Sequence, residues 1–385
     1  MNPLAPLRGL SLLALALIAA LASARADDGG DEGDAVVVMG CAVAPGAQCA
    51  RMDLRGVVLN HFSLRDSHLA GANLKGASLM RADLRRADLR GADLRAARLD
   101  GADLRAAQID GADLSGASLR GARLAGAKLN EAILDGADLA YADLSGTDAR
   151  AARFDHAALD GADLSGGAFN RSTFKHAHFG GNALAGALFT GADVQECVNC
   201  PSVDGRSPGA APVSPPATAN GCVPAPAASC AGADLHGRDL RNLDLTAINL
   251  EHANLRDANL GRAKLQRGNL RGANLSGALL DGADLRKALA ENANMTGAKL
   301  AGAEFGSAIL VHANFTDADL TAASLENAVA NKSIFVGSRL IGTDLQETRL
   351  NFTDFRDARL DGALLRFSHW NYAIVERCTG CPKDW

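Results

Sequence analysis

Aromatic side chains make up only 4% of the 385 residues, two Trp and two Tyr among them. With so few rings there is no platform on which unstacked bases could lie, so recognition of single-stranded nucleic acid by stacking is set aside. Charge of one sign is scarce as well. The formal charge is −5; taking away residues 1–26, whose only charges are Arg8 and Arg25, makes it −7, and the five acids of residues 27–34 leave about −2 on all the rest. Residues 51–195 carry 18 basic and 18 acidic side chains, and residues 231–375 carry 16 and 17. Such a neutral body has no long-range pull on nucleic acid. One local excess exists, in residues 51–105, with 11 basic and 7 acidic residues including Arg81, Arg85, Arg86, Arg90, Arg95 and Arg98. The interleaved Asp residues make it a mixed, solvated face.

A reactive site is also missing. The serines are scattered through turn positions, the nine histidines have no nucleophile at a telling spacing, and the glycines recur along the chain instead of opening one helix as a phosphate loop does. No enzyme and no cofactor are expected. The longest apolar run, residues 10–22, is shorter than the ~20 residues of a membrane span. Preceded by Arg8 and followed by the small-x-small sequence Ala24, Arg25, Ala26, it reads as a cleavable leader over residues 1–26. No Cys adjoins the cleavage point, so no lipid anchor is expected. Export to the periplasm or beyond the cell is the expectation, with no transmembrane segment in the mature chain.

What the sequence has in abundance is a five-residue phrase. Residues 81–95 read RADLR RADLR GADLR, with Ala82 and Leu84, Ala87 and Leu89, Ala92 and Leu94 in register. On a helix every fifth residue advances by about 140°, so these leucines would circle it without forming an apolar face. On a flat strand an odd period would alternate their faces. The chain must therefore bend once per pentad to keep Ala and Leu pointing the same way. Gly91, Gly101, Gly111, Gly121 and Gly136 each follow a central Leu or Ile by two, the place where a tight turn demands positive φ.

These A-(D/N)-L-x-G-like pentads resemble those of pentapeptide-repeat proteins, over about three quarters of the chain. The resemblance implies an all-β fold, a right-handed quadrilateral β-helix with four pentads per coil. It also implies a non-enzymatic role as a protein-binding or scaffolding surface. Some cytoplasmic members of that family are DNA mimics that bind gyrase through an acidic surface; that alternative suits neither a neutral body nor a leader. A further alternative is a metal-binding or hydrolytic envelope protein.

The pentad register runs from 54 to 194 and again from 235 to 375, 29 central positions each, and the two stretches superpose at an offset of 181. This is an internal duplication. The expected layout is a leader at 1–26, an acidic spacer at 27–40, one repeat domain at 41–200, a Pro/Ala/Ser linker at 201–221 and a second repeat domain at 222–385. At ~4.8 Å per coil each unit is about 34 Å long, and an end-to-end pair is about 70 Å; the relative orientation and oligomeric state stay open. The partner is expected to be a protein, with nucleic acid not expected.

Two groups of candidate residues remain. His156, His176 and Glu196 are spaced by 20, so successive coils would stack them in a column that could hold a zinc-type ion; the second unit has Gly337, Asp357 and Arg377 there, which argues against a resident metal. The eight cysteines flank the arrays and none lies inside them. Four local disulfides, Cys41 to Cys49, Cys197 to Cys200, Cys222 to Cys230 and Cys378 to Cys381, would cap exposed coil ends. A zinc site built from Cys197, Cys200, Cys222 and Cys230 and a redox role for the Cys-x-x-Cys pairs are the rivals. A column of Asn254, Asn274, Asn294 and Asn314 is expected to ladder its amides and stabilise the second unit over the first.

Overall fold

The computed structural model describes residues 36–201, 203 and 222–382. The leader at 1–26, most of the spacer at 27–40 and most of the linker at 201–221 lie outside the described residues. The described chain begins with a short antiparallel hairpin, β1 (Val36–Val38) against β2 (Cys41–Val43), with Val37 opposite Ala42.

From Gln48 onward the chain coils. Every fifth residue makes a parallel bridge to the residue twenty further on: Asp53 to Asn73, Val58 to Ser78, Ser63 to Asp83, His68 to Asp88. Four such bridges complete a turn of the coil, which therefore takes twenty residues. The residues before the central Leu form the bridges, and the central Leu with the Ala two places earlier fills the inside. Ala112, Leu114, Ala117 and Leu119 are all buried.

Backbone accounting explains the phrase. In residues 113–117, Asp113 N–H donates to Ala92 O on the coil before, Leu114 N–H to Ile133 O and Gly116 N–H to Asp135 O on the coil after, and Ala117 N–H closes the turn on Leu114 O. One amide is left, that of Ser115, and it donates to the Asp113 carboxylate at 3.0 Å. The Asp or Asn before each central Leu is thus the acceptor for the corner amide that no other strand can reach. Asn274, Asn294 and Asn314 do the same for Ser276, Thr296 and Thr316. Their oxygens are therefore spent within the turn, and between those three residues only a 3.4 Å contact from Asn294 to Asn274 remains. The reason for expecting a more stable second unit fails.

The corner takes positive φ throughout. Gly91 and Gly101 adopt +62° and +65°, as the spacing predicts, but Ala151 at +56°, Tyr141 at +59° and His156 at +61° do so too. The ladder of coils imposes the left-handed corner even where a side chain resists it. Inside, the later coils of each array carry larger core residues: Phe154 stacks on Phe174 at 4.8 Å, and Phe315, Phe335 and Phe355 form a column at the same spacing.

The core has two large clusters, one from Val38 to Phe189 and one from Cys222 to Trp370, and a small third one of Met80, Ala322 and Ile341 between the arrays. The two arrays do not continue each other end to end. They lie side by side and antiparallel: Arg81 donates to Ala322 O, Arg262 to Tyr141 O and Arg241 to Gly180 O, one number rising as the other falls. One corner column of each array forms the seam, and small residues bring the two backbones close along part of it. A Cβ placed on Gly121 would lie 3.8 Å from the Gly282 Cα, and one on Gly101 3.4 Å from Ala322 O. Shifted by the duplication offset, the second contact becomes Gly282 beside Tyr141 O, 3.8 Å. Each half thus uses the same patch against the other, the arrangement of a two-fold dimer joined into one chain.

Candidate functional site

His156 and His176 stack as expected, their rings 4.7 Å apart and inclined by only 12°, and His176 Nδ1 lies 3.3 Å from Glu196 Oε2. Parallel rings point their nitrogens along parallel lines, whereas a tetrahedral ion needs converging lone pairs. Among the described residues no group of three or more His, Cys, Asp or Glu side chains is arranged to hold a metal. The cysteines bond locally, Cys41 to Cys49, Cys197 to Cys200, Cys222 to Cys230 and Cys378 to Cys381, with Cα separations of 5.3–5.8 Å. No described cysteine is free, so the four-thiolate zinc site drawn at the junction is not formed: each of its members is bonded to its near neighbour in sequence.

The basic stretch at 51–105 is largely self-neutralised. Nine arginines, Arg55, Arg85, Arg90, Arg95, Arg105, Arg150, Arg241, Arg286 and Arg356, fold back as forks on the Asp two places earlier. Those hydrogen bonds hold the carboxyls of Asp83, Asp88 and Asp93 below the usual range. Arg81, in the same stretch, turns instead into the seam, bonding Ala322 O at 3.0 Å and Glu304 at 3.3 Å.

The seam contains what the pentad pattern does not reveal. Tyr141 is 6% exposed; burial pushes its phenol up. His61 is buried beside Arg81 with Nε2 unpartnered, and that desolvation together with the neighbouring guanidinium drives its pKa down to about 3. Arg120 bonds Asp281 across the seam at 2.9 Å and Asp138 in its own array at 3.1 Å. Burial opposes its charge, but the two carboxylates outweigh burial and raise its pKa. Asp100 lies buried beside Arg120, bonded to the Ser118 hydroxyl, with burial pushing its carboxyl up. Above these groups runs a cleft of about 380 Å³, lined by Arg98, Asp100, Ser118 and Arg120 from the first array and Asp319, Arg339 and Arg359 from the second. A larger open trough, about 620 Å³, follows an outer corner of the first array past Asn130, Arg150 and Arg171.

A second feature lies at the end of the second array. Phe352 and Tyr372 stack at 4.9 Å on the outside, 55% and 76% exposed; Phe367 at 64% and Ile374 at 44% are also exposed on the last coils. The low aromatic content hid this, because composition does not say which face a ring takes. The signal was present: Phe352 and Tyr372 are spaced by 20 at corner positions. No helix among the described residues is long and apolar enough to cross a membrane.

Eight copies of the pattern described as pentapeptide repeats match residues 47–86, 82–121, 117–155, 134–166, 228–267, 268–306, 298–335 and 333–366. No curated protein sequence matches the chain. Similar solved structures include a pentapeptide repeat protein involved in heterocyst differentiation regulation from the cyanobacterium Nostoc. It is 24% identical over 82% of this chain and 90% of that one, with a TM-score of 0.20. A pentapeptide repeat protein from the Arabidopsis thaliana thylakoid lumen is 29% identical over 31% and 85%, with a TM-score of 0.22. A plasmid-mediated fluoroquinolone resistance protein is 22% identical over 39% and 83%, with a TM-score of 0.23. At those scores the superpositions carry no weight, and the matched repeats carry the assignment.

Proposed function

Because the chain belongs to the pentapeptide-repeat family, whose members are characteristically non-enzymatic, we propose that it is exported and serves as a protein-binding or scaffolding surface of the cell envelope. The observation that carries this reading is the exposed aromatic and aliphatic patch of Phe352, Phe367, Tyr372 and Ile374 on the last coils. A stacked pair of exposed rings, with further exposed apolar side chains on the same coils, suits an interaction surface. The leader-like residues 1–26 and the cysteine pairs at the array ends support an oxidising location. The two repeat domains, at 41–200 and 222–385, each wind as a right-handed four-sided coil in this reading. Gyrase mimicry receives no support from the surface, since the Asp residues that would have to present bare charge are clamped by their own arginines.

Crosslinking in intact envelopes, with the wild-type protein and with Phe352→Ser, Tyr372→Ser, tests the reading. A defined protein captured by the wild type and lost with the doubly substituted one, at unchanged melting temperature, is the expected outcome. Equal capture by both, or an unprocessed protein found in the cytoplasm, overturns it.

A further inference from the structure

We propose that the cleft along the seam is a binding site for a phosphate-type oxyanion, formed only where the two arrays meet. Three observations lead there independently of the aromatic patch.

The first is the state of the arginines. Nine arginines elsewhere are consumed by the carboxylate two residues before them. Arg98, Arg339 and Arg359 occupy the bridging position itself, which the acceptor Asp usually fills, so no such clamp exists for them. Arg339 has only a 3.9 Å approach to Asp319 and Arg359 a 3.6 Å approach to Asp361. Arg98 has no carboxylate within ion-pair distance among the described residues; its nearest influence is on Asp100. Guanidinium forks with free donors facing one cleft suit a planar-faced or tetrahedral oxyanion, which accepts two bonds from each.

The second is the departure from the duplication. At the offset of 181, Arg98 corresponds to Leu279, Arg339 to Ala158, Arg359 to His178 and Arg120 to Ala301. The coil therefore needs no arginine at any of these places. Arg120 reaches from the midpoint to Asp138 and Asp281, the counterparts of Asp319 and Asp100; the fold fixes the seam, and Arg98, Arg339 and Arg359 are additional to it on one side.

The third is the shape and support of the cleft. It holds about 380 Å³, room for a phosphoryl group and its hydration. Four arginines and two carboxylates, Asp100 and Asp319, line it; Asp100 is already engaged by the Ser118 hydroxyl and the Arg120 amide, and Arg120 and Arg359 also have Asp138, Asp281 and Asp361 close by. Arg120, the buried member, is fixed by Asp281 and Asp138 and so serves as the rigid floor, while Arg98, Arg339 and Arg359 are the arms that close on the anion. Because Arg98 comes from one array and Arg339 and Arg359 from the other, a bound anion would also tie the arrays together.

The ligand chemistry is a phosphoryl oxyanion, whether a free ion or the head group of an anionic lipid. Calorimetric titration of the full protein with inorganic phosphate, at fixed ionic strength set by chloride, is the direct measurement. Saturable binding at one site per chain is expected, weakened at least tenfold by Arg98→Gln and by Arg339→Gln and unchanged by Arg55→Gln, which removes a fork far from the cleft. Far-ultraviolet circular dichroism checks that each substituted protein is folded, and a double substitution, Leu279→Arg with Ala158→Arg, adds an arm that should create a second site. Flotation with vesicles of phosphatidylglycerol in phosphatidylcholine, against phosphatidylcholine alone, distinguishes the sources. Phosphate binding without flotation assigns a free ion, and flotation that depends on Arg98 and Arg339 assigns a head group. No saturable binding in either arm, or binding that survives both Arg98→Gln and Arg339→Gln, overturns the proposal.

Discussion

Replacing Gly261 by Ala should separate the two arrays without unfolding either. Gly261 has ordinary backbone geometry, so a methyl group there meets only a steric test; its Cβ would lie 2.1 Å from the Tyr141 ring, and the ring has no room on the Gly161 side either, where an added Cβ would also clash, at 2.5 Å. The ring cannot stay. A buried Tyr withdraws about 150–250 Å² from water, worth about 4–6 kcal/mol at ~25 cal/mol per Å². The ring is shared between its own array and the other, so roughly half, about 2–3 kcal/mol, belongs to the seam. That corresponds to about a 30- to 150-fold weaker association of the halves. The assay introduces a protease site within residues 204–220, cleaves the chain and measures the dissociation constant of the two halves by sedimentation. The expected outcome is a dissociation constant raised by that factor with the melting temperature of each half unchanged. An unaltered constant would show that the ring contributes nothing to the seam. A fall in the melting temperature of the second half would show that its own coil absorbs the strain.

Three further outcomes follow from the geometry. His61 has a folded-state pKa far below its ordinary 6.5, so the unfolded chain takes its proton first. The stability His61 provides above pH 6.5 drains away down to about pH 3, by at most about 5 kcal/mol at ~1.36 kcal/mol per unit. Asp100 and Asp344, whose carboxyls burial pushes up, run the opposite way. Urea midpoints at pH 7.5 and 5 should therefore differ less for His61→Asn than for the wild type, and identical differences would refute the assignment. Gly297 has φ +67° and open space around its would-be Cβ, so Gly297→Ala should cost about 1 kcal/mol from backbone strain alone. Ala151→Gly, which relieves the same strain at φ +56° at the expense of chain entropy, should gain about 0.5 kcal/mol; equal denaturation midpoints for both would contradict the corner argument. Reduction of Cys222–Cys230, which are 8 residues apart, should cost about 2.5 kcal/mol of stability by loop closure, and melting with and without reductant checks it.

The coil itself was legible because its cause is local and repeated: an odd apolar period forces a bend, and the Asp or Asn at the bridge has one amide to satisfy at every corner. The duplication was readable for the same reason, since it depends on spacing alone. The seam was not. Which of the corner columns packs against the other array depends on small residues such as Gly121 and Gly282, and glycine is common at every corner, so its use as a contact cannot be told from its use as a turn. The buried charges at Asp100, Arg120 and Asp281 look in sequence like any other solvated turn residues. The stacked histidines were placed correctly, although column membership fixes a distance and leaves ring orientation free. The arginine cleft left a trace in the sequence, arginine in the place where Asp or Asn normally stands, but its meaning required both arrays in view.

The antiparallel seam also decides how the molecule would respond to being pulled. Asn60, on an early coil of one array, lies against Gly362, on a late coil of the other, so the two outer ends of the pair are neighbours. Tension between them loads the seam at one coil, and each rupture passes the load to the next, as a zipper opens. Within an array the same force runs across closed backbone ladders that share it. The seam therefore yields first, and the pair can extend from about 34 Å toward about 70 Å with every coil intact. Pulled at those ends, a fused pair of this kind would open as a clasp does.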